Sequence, residues 1–511
     1  MDDVTMSVWR KAKPRLKGFL QVSRVVMRSK RGALGIAILI FFIFVALAAP
    51  LLAPYDPLLI PKKMIASPLA VPSWLRFIPG YGNISENVLP IKDSNFANNA
   101  SLQEFATNMS SEYVSLEYSP DEGSPDSGPG CIAIHIERRD SAQEDIVSVA
   151  MTKEFTYPYL NPPSKWVGDI YVKIDAPQNT TVRSTDLNIT VFLKQAEGPI
   201  TTLWSPQEGL RRQGGKYPIG AWITPSITGP KPFPSLIDSD ILDKEKEVFS
   251  KPDKYTFGVQ ILFGEAISNA TVYIDDLNLE LYGETFGLLG TDKFGRDIFS
   301  QLVYGTRISL LVGFLGAFLS TAIGLFVGLM SGYFGGFVDE IMMRITDTFL
   351  VIPELPLLLV LVAVVGPSLS IIILLISLLG WMGFARIVRS QVLSLKERPF
   401  VEASRVLGGG ELYIVFSVLT PNVMNLVYVT LAMSAPAAIY SEAYLSFLGL
   451  YTSDVMTWGR MLHDALIAPL GIQKWWWVLP PGLCIAAISI SFIFIGYALD
   501  EVFNPKLRER S

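Results

Sequence analysis

The sequence predicts a polytopic α-helical membrane protein of six transmembrane helices, with an extracellular β-rich domain, a β-sandwich in form, inserted between the first and second helices. Three observations carry this. Of 511 residues, 50% are hydrophobic and only 17% charged, whereas soluble domains average about a quarter charged. Charge-free apolar runs long enough to cross a bilayer recur along the chain. Between the first and second of them lie about 230 polar residues with strand-like alternation.

Residues 1–32 are basic, with nine Lys and Arg from Arg10 to Arg31 against Asp2 and Asp3. This predicts a cytoplasmic N-terminal segment. The run Ala33–Pro54 carries no charge and exceeds the roughly 20 residues that a helix needs to span the hydrocarbon core. Its length and its Pro-rich exit distinguish it from a cleaved leader, so 33–56 is read as a retained first helix.

Residues 57–285 form the insert. Alternating apolar residues in Asp169–Asp175, Leu187–Leu193, Tyr255–Leu262 and Ala270–Asp275 predict half-buried strands bounded by Gly, Pro and Asn. Residues 95–150 pattern too weakly to place. The insert holds 19 Lys+Arg and 29 Asp+Glu, a net of -10, which leaves +5 for the rest of a chain whose total is -5. Six of its eleven asparagines stand in Asn-x-Ser/Thr sequons, at Asn83, Asn99, Asn108, Asn179, Asn188 and Asn269, and no sequon lies elsewhere. Such sequons are glycan acceptors on exported surfaces. They agree with an insert outside the plasma membrane and with a glycosylating source such as an archaeon. A Ser/Thr-rich sheet surface is the alternative explanation.

Residues 286–511 form the helical core. Candidate spans are Ile308–Ser331, Met343–Val365, Leu369–Val388, Val423–Phe447 and Trp475–Leu499. With the first helix these make six, which returns the C-terminal tail with Lys506, Arg508 and Arg510 to the cytoplasm. The basic stretch with Arg386, Arg389, Lys396, Arg398 and Arg405 falls on the same side. Between the fourth and fifth spans, 394–421 is too charged for lipid.

That stretch contains Glu402-Ala403-Ser404-x-x-x-Gly408. It resembles the Glu-Ala-Ala loop of the dipeptide/oligopeptide/nickel permease family of ATP-driven (ABC) importers. Further matches follow in order: Gly290-Thr-Asp-Lys-Phe-Gly-Arg-Asp297, Ser309–Gly313, Gly332–Gly336 with Asp339, Gly380–Arg386 with Arg389, Glu442–Gly449, and Ser453 to Trp458-Gly459. The resemblance covers most of 20–56 and 286–511. It implies the ABC importer permease fold and a transport subunit for di- or oligopeptides, or, in some relatives, oligosaccharides.

It further implies four kinds of partner: a homologous second permease, two ATP-binding subunits, an extracellular substrate-binding protein and membrane lipid. The polar loop would be a coupling helix docking on an ATP-binding subunit, with Glu402 offering charge, Ala403 and Ser404 allowing close approach, and Gly408 ending the helix. Ser404 departs from the family's second alanine, and Thr420 from the leucine before Pro421. Gly290, Thr291, Asp292, Gly295, Arg296 and Asp297 would stand near the outer mouth. A structural ion-pair network for Asp292, Arg296 and Asp297 is an equal reading.

No nucleotide-binding Gly-x-x-x-x-Gly-Lys-Ser/Thr loop occurs, so ATP and magnesium belong to partners and no cofactor is expected on this chain. Two histidines, His135 and His463, supply neither a metal cluster nor a hydrolase triad, and no basic aromatic face suggests nucleic acid. The alternative class is a surface receptor or adhesion protein that six spans would merely anchor. Other candidates have plain structural readings. Gly324, Gly328 and Gly332 favour a close helix seam. Glu354 suits either a functional intramembrane site or the interface. Asp275 and Asp276 read most simply as strand caps, and Trp166, Trp204 and Trp222 favour core packing over sugar stacking.

Overall fold

The computed structural model describes residues 26–503 except 28, 59–64, 80–83, 94, 126–127, 139–145, 178–179, 208–209, 211–214, 224–247, 250, 470 and 472. The chain divides into two compact units, Ile65–Thr291 and a helical unit made from the segments on either side. The inserted unit starts eight residues later and ends six residues later than 57–285, its last residue Thr291 being bonded to Ser67 and Ala70. Residues 1–25 and 28 of the basic N-terminal segment, the C-terminal arginines, Asn83 and Asn179 lie outside the described residues.

In the helical unit, α1 spans Lys30–Leu52. Then come α2 (Ile298–Phe334), α3 (Gly336–Val351), α4 (Glu354–Val365), α5 (Leu369–Leu379), α6 (Met382–Leu395) and the short α7 (Pro399–Val406). The remaining helices are α8 (Glu411–Phe447), α9 (Trp458–Ile467) and α10 (Trp475–Phe503). Among the described residues four helices, α1, α2, α8 and α10, are long and apolar enough to cross a membrane, and the number is six if each of two bent pairs is one span.

Two of the candidate spans contain a bend. Met343–Val365 is two helices meeting at 91°, and Leu369–Val388 is two meeting at 41°. The first break falls at Ile352-Pro353, where proline's ring and missing N–H end a helix. The second falls at Gly380-Trp381. The span expected at Ile308–Ser331 is part of a 37-residue helix, about 56 Å long at 1.5 Å per residue. That exceeds a hydrocarbon core of roughly 30 Å. Its first turns, with Ser300, Gln301 and Arg307, are polar, which is why an apolar window misses them.

The span expected from Val423 also begins early. Residues Ile414–Leu419 of α8 are wound as a π-helix just before Pro421. Pro421 supplies no N–H to the preceding turn, so the winding loosens there. Thr420 Oγ1 instead donates to the Val415 carbonyl at 2.8 Å.

The inserted unit is two five-stranded antiparallel sheets. Its strands are β1 (Ala106–Met109), β2 (Val114–Ser119), β3 (Cys131–Glu137), β4 (Val147–Tyr157), β5 (Lys165–Asp175), β6 (Leu187–Gln195), β7 (Ile200–Trp204), β8 (Trp222–Ile223), β9 (Asp253–Phe263) and β10 (Asn269–Tyr282). The orders are β1-β4-β9-β6-β7 and β2-β3-β10-β5-β8. Alternate residues of both sheets, among them Met151, Ile189 and Val259 from one and Ile134, Val172 and Val272 from the other, enter a single apolar cluster. Each such buried side chain contributes about 1.5–3 kcal/mol relative to exposure.

Both chain connections leave this unit at one end, the Tyr282 end of β10. Bridges join Val71 to Thr285 and Val88 to Leu281. The Thr291 hydroxyl donates to Ser67 O at 2.6 Å. At the same end Phe249 packs against Tyr157, Tyr255 and Trp166, with centroids 5.0, 4.9 and 6.2 Å away. Trp166 is thus a packing residue, as is the buried Trp204.

Asp275 and Asp276 cap no strand end. They sit at a bulge inside β10, and the Asp275 carboxylate accepts from the Ser124 and Asp276 amides at 2.8 Å each. Cys131 and Cys484 are free thiols.

Candidate functional site

The stretch expected to couple folds as α7. Pro399 occupies the first turn, where its missing N–H costs nothing, and Glu402 lies near the positive helix N-terminus. The inner face is anchored by Val401, which is fully buried in a cluster with Leu329, Met330, Tyr333, Ile414 and Val415. Arg405 Nη2 donates to Tyr333 Oη at 3.5 Å.

The helix ends on two bonds that close over a left-handed residue. Gly409 N donates to Ser404 O at 2.9 Å and Gly408 N to Arg405 O at 3.0 Å, with Gly408 at φ +85°. This is a Schellman turn, and glycine takes its left-handed position without Cβ strain. Glu402, Ala403 and Gly408 are exposed. Ser404 is half-buried, and its hydroxyl bonds back to Phe400 O at 2.8 Å, so the departure from alanine turns its polar atom onto its own helix.

Sequence reasoning passed over the neighbouring apolar pair. Val406 is 81% and Leu407 87% exposed. Leu412 and Tyr413 at the start of α8 are exposed as well. The signal was legible as two bulky apolar residues directly before the Gly408-Gly409-Gly410 turn of a polar stretch.

Behind α7, α6 is welded to α2. A Cβ on Gly324 would stand 2.8 Å from Trp381 O, one on Gly328 would stand 2.6 Å from both Ala385 O and Val388 Cβ, and one on Gly332 would stand 2.8 Å from Val392 Cβ. The three glycines form a close helix seam. Charged pairs add to it. Arg389 engages both carboxylate oxygens of Asp339, and Arg386 pairs with Asp347, so α6 is also tied to α3. The other side of α2 meets α8, where a Cβ on Gly313 would lie 2.7 Å from Ile439. Glu354 is exposed at the first turn of α4.

The motif 290–297 is divided by the boundary between the units. Gly290 (φ +72°) and Thr291 close the inserted unit, Thr291 Oγ1 also accepting from Ala70 N at 2.9 Å. Asp292, Lys293 and Arg296 belong to a buried ion network in the helical unit. Arg296 Nε donates to Asp292 Oδ2 at 2.6 Å and its Nη2 lies 3.4 Å from Asp464 Oδ2. Lys293 Nζ and Arg460 Nε lie 3.7 and 4.0 Å from the Asp464 carboxylate.

Gln301 Nε2 donates to Asp292 at 2.8 Å. Arg460 Nη1 donates to the carbonyls of Thr452, Ser453 and Val455 at 3.3, 3.0 and 2.7 Å. Asp297 stands apart from the network. It caps α2, accepting from Ser300 N at 2.8 Å and Ser300 Oγ at 2.6 Å. Burial holds its carboxyl above the usual range, against the pull of those bonds. Gly295 (φ +76°) makes the turn between the two acidic residues. Through these contacts Asp292, Lys293 and Arg296 join α9 to the start of α2. Asp464 and Arg460, its distant members, were not singled out from sequence.

Residues 324–509 match the family model described as a binding-protein-dependent transport system inner membrane component. Residues 19–67 match the N-terminal TM domain of oligopeptide transport permease C. The dipeptide transport system permease protein DppC of Bacillus subtilis (strain 168) is 40% identical over 220 residues, 43% of this chain and 68% of the relative. The oligopeptide permease OppC of the same organism is 40% identical over 222 residues, 43% of this chain and 72% of the relative.

The chain belongs to the dipeptide and oligopeptide transport permease family.

A third permease relative, OppC of Escherichia coli (strain K12), is 39% identical over 220 residues, 43% of this chain and 72% of its own. A chain of the MetNI methionine ABC transporter in an inward-facing conformation, at 21% identity and covering 37% of this chain and 96% of its own, has a TM-score of only 0.27. The two family matches leave 68–323 between them, a stretch that holds nearly all of the inserted unit and most of α2. The chain is accordingly a multi-pass membrane transport subunit.

Proposed function

We propose that this chain is one of two homologous membrane-spanning subunits of an ATP-driven importer for di- or oligopeptides. In this reading α7 is the coupling helix, docking on one of two ATP-binding subunits that supply ATP and Mg chemistry. A substrate-binding protein delivers cargo from outside. The N- and C-termini face the cytoplasm, and the inserted unit is a β-sandwich on the outer side of the plasma membrane. The basic N-terminal flank and the confinement of all six sequons to the insert support that orientation.

The observation that carries the reading is the outer face of α7. It is a short, end-stopped helix with a carboxylate, a small residue and two almost fully exposed apolar side chains, Val406 and Leu407. Exposed bulky apolar residues beside charge are what a protein partner covers. The helix is backed by Val401 and, through the α2–α6 seam, by the helical bundle, so a push on it moves helices rather than a loop.

The test is uptake and ATP hydrolysis measured together in the assembled transporter. Gly408→Trp should abolish uptake while ATP hydrolysis continues, because the left-handed turn is strained for any side chain and an indole there stands in the exposed face beside Leu407. Normal uptake at normal hydrolysis would remove α7 from the coupling path.

A further inference from the structure

We propose that the inserted unit carries a crown of N-linked oligosaccharides at Asn108, Asn188 and Asn269, all at the end remote from its connections to the helices. The proposal rests on the outward orientation given above and adds which sequons are modified and where. Strand register sets the positions. Asn188 lies opposite Leu262, one residue from the Leu187–Phe263 pair that closes the β6–β9 ladder. Asn108 lies opposite Ala150, which in turn faces Gln260 of β9. Asn269 opens β10 opposite Glu137. The turn 264–268 joins β9 to β10 at this same end.

Tyr282, at the other end of the 14-residue β10, is roughly 40 Å away at about 3.3 Å per residue. Both chain connections leave there. Asn108 and Asn269 are exposed and Asn188 is half-buried. Asn99 is also exposed, in the turn before β1, and is not part of this group.

The position has a physical use. β1 is an edge strand with all four residues exposed, and an unpaired edge invites pairing with another chain. A glycan on Asn108 blocks that approach. Bulk at this end leaves the opposite end as the one that a protein partner can reach.

The step is a glycosyl transfer from a lipid-phosphate-linked oligosaccharide, the co-reactant. The asparagine side-chain nitrogen forms a bond to the sugar C1 as the C1–O bond to phosphate breaks. The lipid phosphate leaves with that electron pair, and one amide proton passes to base.

The experiment is glycopeptide mass spectrometry of the full chain purified from native membranes, alongside protease treatment of intact cells. Peptides spanning the three asparagines should carry oligosaccharide mass. Thr190→Ala and Thr271→Ala should each remove it at Asn188 or Asn269 alone. Release of insert peptides from intact cells with all three asparagines unmodified overturns the proposal and leaves the orientation standing. Failure of the protease to reach the insert on intact cells overturns the orientation, and the proposal with it.

Discussion

Replacing Asp464 by Asn should be among the most damaging conservative substitutions in the helical unit. Two carboxylates, Asp292 and Asp464, face three cations, Lys293, Arg296 and Arg460, a net of +1 that Asp464→Asn raises to +2. The side chains of Asp292, Arg296 and Asp464 are 0, 3 and 4% exposed, so water does not take over the lost role. Breaking a buried pair by removing one partner costs about 3–5 kcal/mol, mostly from the charge left stranded. For a unit of this size that corresponds to a fall in melting temperature on the order of 10 °C.

The assay is thermal unfolding of the assembled transporter in detergent, with Asp297→Ala compared in parallel. Asp297 accepts from the Ser300 amide and hydroxyl as a helix cap, so its loss should cost about 1 kcal/mol, as for other caps. Adding Lys293→Met to Asp464→Asn should restore part of the loss by removing one stranded cation. A change of less than about 1 °C for Asp464→Asn, far below the shift expected for a stranded buried charge, would mean that the network is solvated and that no charge is stranded.

Three further outcomes follow from the same geometry. Gly328→Leu should separate α2 from α6 at a cost of about 1–3 kcal/mol or more, read as lost thermal stability, whereas Gly383→Ala, where a Cβ meets nothing within 4 Å, should raise stability by about 0.5–1 kcal/mol through helix propensity. Gly408→Ala should weaken the α7 turn by about 1–2 kcal/mol from its left-handed backbone alone and lower uptake per ATP hydrolysed; Gly408→Asn should do less harm. Burial pushes the Cys131 thiol from 9.0 to about 12, so a water-soluble maleimide at a pH of about 8, below both values, should leave it unmodified until the insert unfolds. The folded state then holds a proton that the unfolded state has lost, so the insert should lose stability as pH rises from 9.0 toward about 12. A flat stability profile there would contradict this.

Much of the helical unit was legible because apolar runs report burial in lipid directly. The four long helices follow from composition, and the Gly324-Gly328-Gly332 spacing marked the seam. Polar turns defeated the same signal: the start of α2 contains Ser300, Gln301 and Arg307, and α8 starts inside a stretch read as a loop. Bends were legible only as local breakers, Pro353 and Gly380, whose angles are set by packing.

In the insert, alternation marked β5, β6, β9 and the start of β10. The region from β1 to β3 was opaque for two different reasons. β1 is exposed on both faces, and β3 runs Cys-Ile-Ala-Ile-His-Ile with its outward Cys131 and Ala133 buried too, so neither alternates in polarity. The ion network was half legible: Asp292 and Arg296 are four apart, but Asp464 lies 168 residues from Arg296, and no local pattern joins them. The apolar pair Val406-Leu407 was in plain view, but it was read as part of a charged loop.

The most direct measurement concerns the side of the membrane on which α7 lies and what covers it. Leu407→Cys, introduced with Cys131→Ala and Cys484→Ala, is exposed to a membrane-impermeant thiol reagent in intact cells and in inverted vesicles. Labelling is expected only in inverted vesicles stripped of their ATP-binding subunits, with protection when those subunits are bound. Labelling of the Leu407→Cys variant from outside intact cells would contradict a cytoplasmic α7.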